Sequence, residues 1–270
     1  MIISHKNKFT LLRVPKTGST SLEASVRFCG AVDKDDICSL TEDAYLPLQN
    51  IPNTARKQCA KHRAIRGIAR QKIKLKSILT DEEKKILDYK QRWMFFMEHN
   101  TLDDWFDIPY YSELNLISKK QIKEYKHYGF LREPVERYLS SFVFHQVWKG
   151  RAKGVQKPIT IEEFHRFTLK DLKKHDNILF RPQKDYFYFE GEQVAEPLLF
   201  KTWASEASRM IKEIGFHPLE VYPRFKEGGG AKNILKEKPK VEEWVDSHSK
   251  IKDYIEDHFC EDIEFYKKYT

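Results

Sequence analysis

Twice along this chain an apolar run stops at a short polar turn, and apolar residues then resume at helical spacing. That recurrence narrows the fold more than any compositional figure. In the first instance Phe9 to Val14 reads as a buried strand and Pro15-Lys16-Thr17-Gly18-Ser19-Thr20-Ser21 as the turn, with Leu22, Val26 and Phe28 recurring on a helix face. In the second, Tyr125 to Leu131 reads as the strand and Arg132-Glu133-Pro134 as the turn. Pro134 stands where a helix tolerates proline, and Val135, Leu139, Phe142, Val143 and Val147 follow. A third strand over Pro197 to Lys201 precedes a helix over Ala204 to Ile214 that Gly215 ends. Strands alternating with helices predict an α/β fold with a central parallel sheet flanked by helices. Ligands of such sheets sit at the carboxyl ends of the strands, where both turns fall.

Between these units the pattern is plainer. Residues 29–60 read as irregular, and Lys61 to Arg70 as a short basic helix interrupted near Gly67. Thr80-Asp81-Glu82-Glu83 and Thr160-Ile161-Glu162-Glu163 are capping boxes, opening helices expected over 81–98 and to about 172. Asn100 to Pro109 reads as loop, Gly228 to Gly230 as a flexible loop between Lys226 and Lys232, and Val241 to Tyr269 as helical with Trp244, Ile251, Ile255 and Phe259 inward. The 270 residues suit a single domain, 1–270, with a helical insertion around 78–120.

The chemistry starts at the first turn. A helix's first N–H groups have no internal partner and attract anions. Lys16 adds a full charge, and Thr17, Ser19, Thr20 and Ser21 add hydroxyls. The Walker A pattern needs Lys after its second Gly, whereas Lys16 precedes the only glycine, Gly18, so an ATP-hydrolysing loop is not supported. Capping alone is the plainer account of such a turn. At the second turn, Arg132 ends a strand and Ser140 lies about two helical turns on, an arrangement that lets both hold one anion. The plainer account there is an ion pair between Arg132 and Glu133 or Glu136.

Together the two turns resemble the PAPS-dependent sulfotransferases, in the branch of the Golgi-type carbohydrate enzymes and their small bacterial relatives. Pro15 to Ser21 resembles that family's 5′-phosphosulfate loop, and Phe130 to Ser140 its 3′-phosphate motif, F-x-R-[ND]-P-x-x-R-x-x-S, with Glu133 in place of Asn or Asp. Ile2 to Phe9 also looks like the bacterial group, and a looser likeness runs through Lys61-His62 and Arg181-Pro182-Gln183.

The resemblance implies a P-loop-NTPase-like three-layer fold and PAPS as donor, with no metal required. Lys16 is implied as the catalytic charge on the leaving group. Thr17, Gly18, Ser19, Thr20 and Ser21 are implied as holding the 5′-phosphate, and Arg132 and Ser140 the 3′-phosphate. His62 resembles the family's base, with His127, His145 and His175 as alternatives and Glu23 set aside as an ordinary acid of the first helical turn. Gln183 is expected in the acceptor pocket; the Gly228 to Gly230 loop, with Lys226 and Lys232, either closes over the nucleotide or is a plain flexible loop. The acceptor is expected to be a small molecule or a glycan.

Two other functions compete with this reading: a P-loop-type nucleotide kinase, for which the chain lacks an evident Mg²⁺-ligating Asp at a strand end, and a non-enzymatic polyanion binder. The net charge of +8 suits an anionic ligand, but the basic residues are scattered among acids and form no nucleic-acid module. Cys29, Cys38, Cys59 and Cys260 form neither a C-x-x-C site nor a disulfide framework. No apolar run reaches about 18 residues, so no membrane span is expected. The amino terminus leaves no room for a signal peptide, so a cytoplasmic protein with reduced thiols is expected.

Overall fold

Three strands that run the same way and end on the same side set the geometry of the protein. The computed structural model describes residues 2–32, 36–38, 61, 64–65, 68, 71–72, 78–83, 107–152, 159–172, 178–222 and 231–270. The sheet is built from β1 (Ile2–Ser4), β2 (Phe9–Leu11), β3 (Ile37–Cys38), β4 (Lys126–Leu131) and β7 (Ala195–Leu199), in the order β3-β1-β2-β4-β7. Strands β2, β4 and β7 are parallel. Phe9 is opposite Lys126, Leu11 opposite Tyr128, and Leu131 opposite Leu199. Strands β5 (Tyr188–Phe189) and β6 (Glu192–Gln193) form a separate antiparallel hairpin.

The expected parallel sheet is present, and an antiparallel edge extends it. Strand β1 pairs antiparallel with both β2 and β3, and β3 lies in the 29–60 stretch that reads as irregular. Two- and three-residue strands are too short to show a period of two. The complete burial of Ile2, Ile3 and Ser4, with a neighbour on each side, marks β1 as interior.

Helices cover both faces. Strand β2 leads through the first turn into α1 (Ser19–Phe28). Helices α2 (Ile108–Glu113) and α3 (Lys119–Glu124) precede β4, and α4 (Pro134–Ala152) follows it, beginning at the expected proline. After α4 come α5 (Ile161–Arg166), α6 (Trp203–Glu213), α7 (Ala231–Ser247), α8 (Ser249–His258) and α9 (Cys260–Lys267).

The alternation along β4 divides the core. Tyr128 and Phe130 pack with Leu22, Val26, Met210 and Ile211 beneath α1 and α6. Leu131 turns to the opposite face, to Leu139, Phe142 and Val143 of α4 and Ile251, Ile255 and Phe259 of α8 and its end. Each fully buried side chain of this kind contributes roughly 1.5–3 kcal/mol, against the entropy of ordering the chain.

Local signals explain several helix starts. Thr80 and Glu83 make the reciprocal bonds of a capping box, at 3.2 and 2.8 Å. Thr160 and Glu163 do the same, and Ser118 with Gln121 adds a third box. Three expectations are refined. The helix opened by Thr160 is α-helical only to Arg166 and then widens into a π turn, Phe167–Asp171. There the buried Thr168 hydroxyl lies 2.8 Å from the Tyr138 hydroxyl, and the wider turn accommodates that pair. The carboxyl-terminal run is helical as expected and falls into three helices, broken at His248 and Phe259, both of which leave helical backbone angles. Pro109 lies within α2 instead of in loop. The expectations for 84–98, Gly67 and the Gly228 to Gly230 loop with Lys226 fall outside the described residues.

Candidate active site

The carboxyl ends of β2, β4 and β7 meet at one cavity of about 140 Å³. Its walls are Pro15, Lys16, Gly18, Ser19, Thr20 and Ser21 from the first turn, Arg132, Ser140 and Phe144 from the second turn and α4, and Phe200 just past β7. Both turns singled out in the sequence therefore serve one site. Phe200, from the third strand end, was not anticipated there, since nothing in its local sequence distinguishes it from core.

The first turn is sharply bent. Lys16 has φ 66 and Gly18 has φ 79, both in the left-handed region. Gly18 is the N-cap of α1. A Cβ placed on it would meet Phe200 Cε2 at 2.9 Å and Trp203 Nε1 at 3.0 Å, so both angle and space demand glycine. The Ser21 N–H is spent on the Gly18 carbonyl at 3.0 Å. Gly18, Ser19 and Thr20 bring their N–H groups to a helix start, where no earlier carbonyl of the helix reaches them.

The hydroxyls are less uniform than the sequence suggests. Thr17 is fully buried, lies outside the cavity lining and donates to the Val14 carbonyl at 2.9 Å, so its side chain braces the turn. Ser19 makes a longer bond to the same carbonyl, 3.4 Å, while lining the cavity. Thr20 Oγ1 accepts from Arg13 Nη2 at 3.1 Å.

Arg13 escaped the sequence reading. It is buried at the end of the first apolar run, and its Nη1 lies 3.3 Å from Glu23 Oε2. Glu23, an expected first-turn acid, is instead a buried second-turn carboxylate that also faces Arg27 at 3.6 Å. A cation in an otherwise apolar strand was the available signal, because a buried charge requires a partner.

Lys16 Nζ stands 4.2 Å above the Phe144 ring, a cation–π contact inside the cavity. Arg132 Nη1 donates to the Lys16 carbonyl at 3.2 Å, and the Arg132 guanidinium lies over the Phe200 ring at 4.6 Å. Its Nε and Nη2 reach Glu136 Oε2 at 3.3 and 3.4 Å, long for charged hydrogen bonds. Burial lowers the Arg132 pKa from its ordinary value, against the pull of Glu136, and the guanidinium stays charged. Glu133, where the resembled motif has Asn or Asp, accepts from the N–H groups of Val135 and Glu136 at 3.1 and 2.6 Å and so caps α4.

Gln183, expected in the acceptor pocket, is completely buried and outside the lining of this cavity, and its amide bonds both backbone groups of Arg132. Two of the alternative bases stand apart from the cavity. His127 is the second residue of β4, at the end away from Arg132, and its Nε2 lies 2.8 Å from the Ile122 carbonyl. Burial lowers its pKa. His145 packs among Phe167 and Phe180, at 5.8 and 5.7 Å, and does not line the cavity. His62 and His175 lie outside the described residues.

A wider groove of about 660 Å³ lies between α2, the start of α3 and the β5–β6 hairpin, lined by Ser112, Glu113, Lys119, Phe189 and Glu190. Lys119 and Glu190 pair there, so it offers no uncompensated charge to an anion.

Among the described residues, no group of three or more His, Cys, Asp or Glu is arranged to hold a metal ion, and no helix is long and apolar enough to cross a membrane. A family model described as "Sulfotransferase family" matches residues 1–270. Searches of curated proteins and of solved structures return no match.

Proposed function

This chain belongs to the sulfotransferase family, and from that premise we propose that it moves a sulfuryl group from PAPS to a hydroxyl or amine of a carbohydrate or small-molecule acceptor, releasing PAP. The observation that carries the reading is the shared cavity: Lys16 and the start of α1 on one wall, Arg132 and Ser140 on the other. Two cations, a serine hydroxyl and helix-start N–H groups form a donor set suited to phosphate and sulfate oxygens and not to a neutral ligand.

PAPS supplies the sulfuryl group on a phosphate leaving group. The N–H groups of Gly18, Ser19 and Thr20, with the Ser19, Thr20 and Ser21 side chains, bind the 5′-phosphate. Lys16 holds its charge against the oxygen that becomes anionic as the sulfur–oxygen bond breaks. Arg132 and Ser140 bind the 3′-phosphate, with the long contacts from Arg132 to Glu136 giving way to shorter ones. His62 takes the acceptor's proton. Positioning of the donor and neutralisation of the leaving group make up most of the catalysis in this scheme, as in phosphoryl transfer.

The test compares PAP, ADP and 5′-AMP by calorimetry, then screens hydroxyl and amine acceptors with labelled PAPS. PAP should bind most tightly, by at least about tenfold, worth about 1.4 kcal/mol. Equal affinity for all three nucleotides would remove the donor assignment.

A further inference from the structure

We propose that Gln183 is a positioning residue for the 3′-phosphate site, fixing Arg132 from a carboxylate on the carboxyl-terminal helix, so that α9 controls how strongly the protein prefers a nucleotide with a 3′-phosphate. The inference rests on the PAPS reading above.

Arg132 is the first residue past β4, where the ladder with β7 has ended. Its backbone would be left without a neighbouring strand just where its side chain must be aimed. Gln183 takes the place of that strand. Its Nε2 donates to the Arg132 carbonyl at 2.6 Å, and its Oε1 accepts from the Arg132 N–H at 3.2 Å. A primary amide carries one donor face and one acceptor face, so it pairs with one residue's N–H and C=O as an opposite peptide would. With both backbone groups tied, the Arg132 side chain starts from a fixed origin.

Gln183 is fixed in turn. Asp262 of α9 accepts from the Gln183 N–H and the Lys184 N–H, each at 2.8 Å, through different oxygens. Asp262 is buried, and Arg137 Nη2 stands 3.6 Å from it. Arg137 also donates to the carbonyls of Leu179 and Arg181, at 3.2 and 2.7 Å. Arg137 lies on α4 five residues past Arg132, so the relay Asp262–Gln183–Arg132 closes on the turn–helix unit that it positions. Every member is buried, and low local polarity strengthens each bond and raises the cost of losing one. A network serving only to hold 179–184 in place would need the Asp262 and Arg137 bonds, but not the pair on Arg132.

The test separates positioning from general support by using PAP and 5′-AMP, which differ only in the 3′-phosphate. In Gln183→Met the shape is kept and both bonds to Arg132 are lost. Its PAP affinity should fall by about tenfold or more while its 5′-AMP affinity stays within about twofold, read by calorimetry at a temperature where circular dichroism is native. Gln183→Glu keeps the bond from the Arg132 N–H and should give an intermediate PAP-to-AMP ratio, and it serves equally if the Met variant does not fold. An unchanged ratio, or a parallel loss for both nucleotides, overturns the inference. Absence of any PAP preference in the unmutated protein instead overturns the donor reading beneath it.

Discussion

Arg132 Nη1 donates to the carbonyl oxygen of Lys16 at 3.2 Å, across 116 positions of sequence. The side chain proposed for one phosphate thus holds the backbone of the residue proposed for the other. The bond crosses between the ends of adjacent parallel strands, so it depends on the β2–β4 register. It also keeps Lys16 in its left-handed conformation, an uncommon one for a side chain of that size.

Arg132→Ala removes both the guanidinium and this tie. With hydrogen bonds to charged groups worth about 1.5–3 kcal/mol, PAP affinity should drop by about 100-fold, and 5′-AMP affinity by much less. Arg132→Lys should fall between, because a point charge lacks the fork that reaches the Lys16 carbonyl and a phosphate together. Titration calorimetry on the three proteins decides it; equal losses for PAP and 5′-AMP would show that Arg132 does not read the 3′-phosphate.

The sequence made the strand–turn–helix units legible because each has its own local signal: an apolar run, Gly18 or Pro134, and residues at helical spacing. The α/β pattern placed both turns at the carboxyl ends of strands, and resemblance assigned them to one nucleotide. What stayed hidden depends on contacts distant in sequence. Gln183 looks like any polar residue in a loop until its amide is seen between β4 and α9. Phe200 looks like core until β7 brings it beneath Arg132. Thr17 has the right chemistry for a phosphate, but the turn points its hydroxyl at Val14. Composition and spacing specify which side chains are near the site, and the tight φ angles of the turn specify which face it.

Gly18→Ala should damage both stability and binding. The left-handed backbone costs a non-glycine residue about 1–2 kcal/mol, and the added Cβ would sit 2.9 Å from Phe200 and 3.0 Å from Trp203. We expect a lower melting temperature and at least about tenfold weaker PAP binding, as the start of α1 shifts to relieve the contact. A variant with unchanged melting and PAP affinity would show that the turn tolerates a shift without losing its anion site.

Lys16→Met and His62→Asn should separate binding from chemistry. Loss of one preorganised charge at a developing anion typically costs about 10²–10³ in kcat, so Lys16→Met should lose turnover far more than PAP affinity. His62→Asn should bind PAP as the unmutated protein does and lose turnover. Single-turnover assays with labelled PAPS measure both, and unimpaired turnover in His62→Asn would assign the base elsewhere.

His127 makes a prediction about pH. Its Nε2 bonds the Ile122 carbonyl and so carries the proton, while Nδ1 is buried without a hydrogen-bond partner among the described residues. Burial lowers the folded pKa below the ordinary 6.5. The neutral ring therefore contributes stability above about pH 6.5, and that contribution is lost as the pH falls through the lower folded value. Urea denaturation between about pH 7 and pH 5 should show a shallower decline for His127→Gln than for the unmutated protein. Parallel slopes would place the acid sensitivity in other groups.

Arg13 and Glu23 predict a difference between breaking a buried pair and removing it. Arg13→Met leaves Glu23 buried, with Arg27 at 3.6 Å compensating only in part, so the loss should be about 2–4 kcal/mol, toward the lower end of what breaking such a pair costs. Adding Glu23→Gln removes the carboxylate charge and should restore more than half of that stability, because a neutral replacement often matches a buried ion pair. The anion site should behave differently. Arg13 Nη2 also donates to Thr20 Oγ1 at 3.1 Å, bracing the first turn of α1. PAP affinity should therefore stay reduced in the double variant even as its unfolding free energy recovers. Chemical denaturation and calorimetry on the two variants test both parts. Recovery of affinity together with stability would reduce Arg13 to a packing role and leave Thr20 positioned by α1 alone.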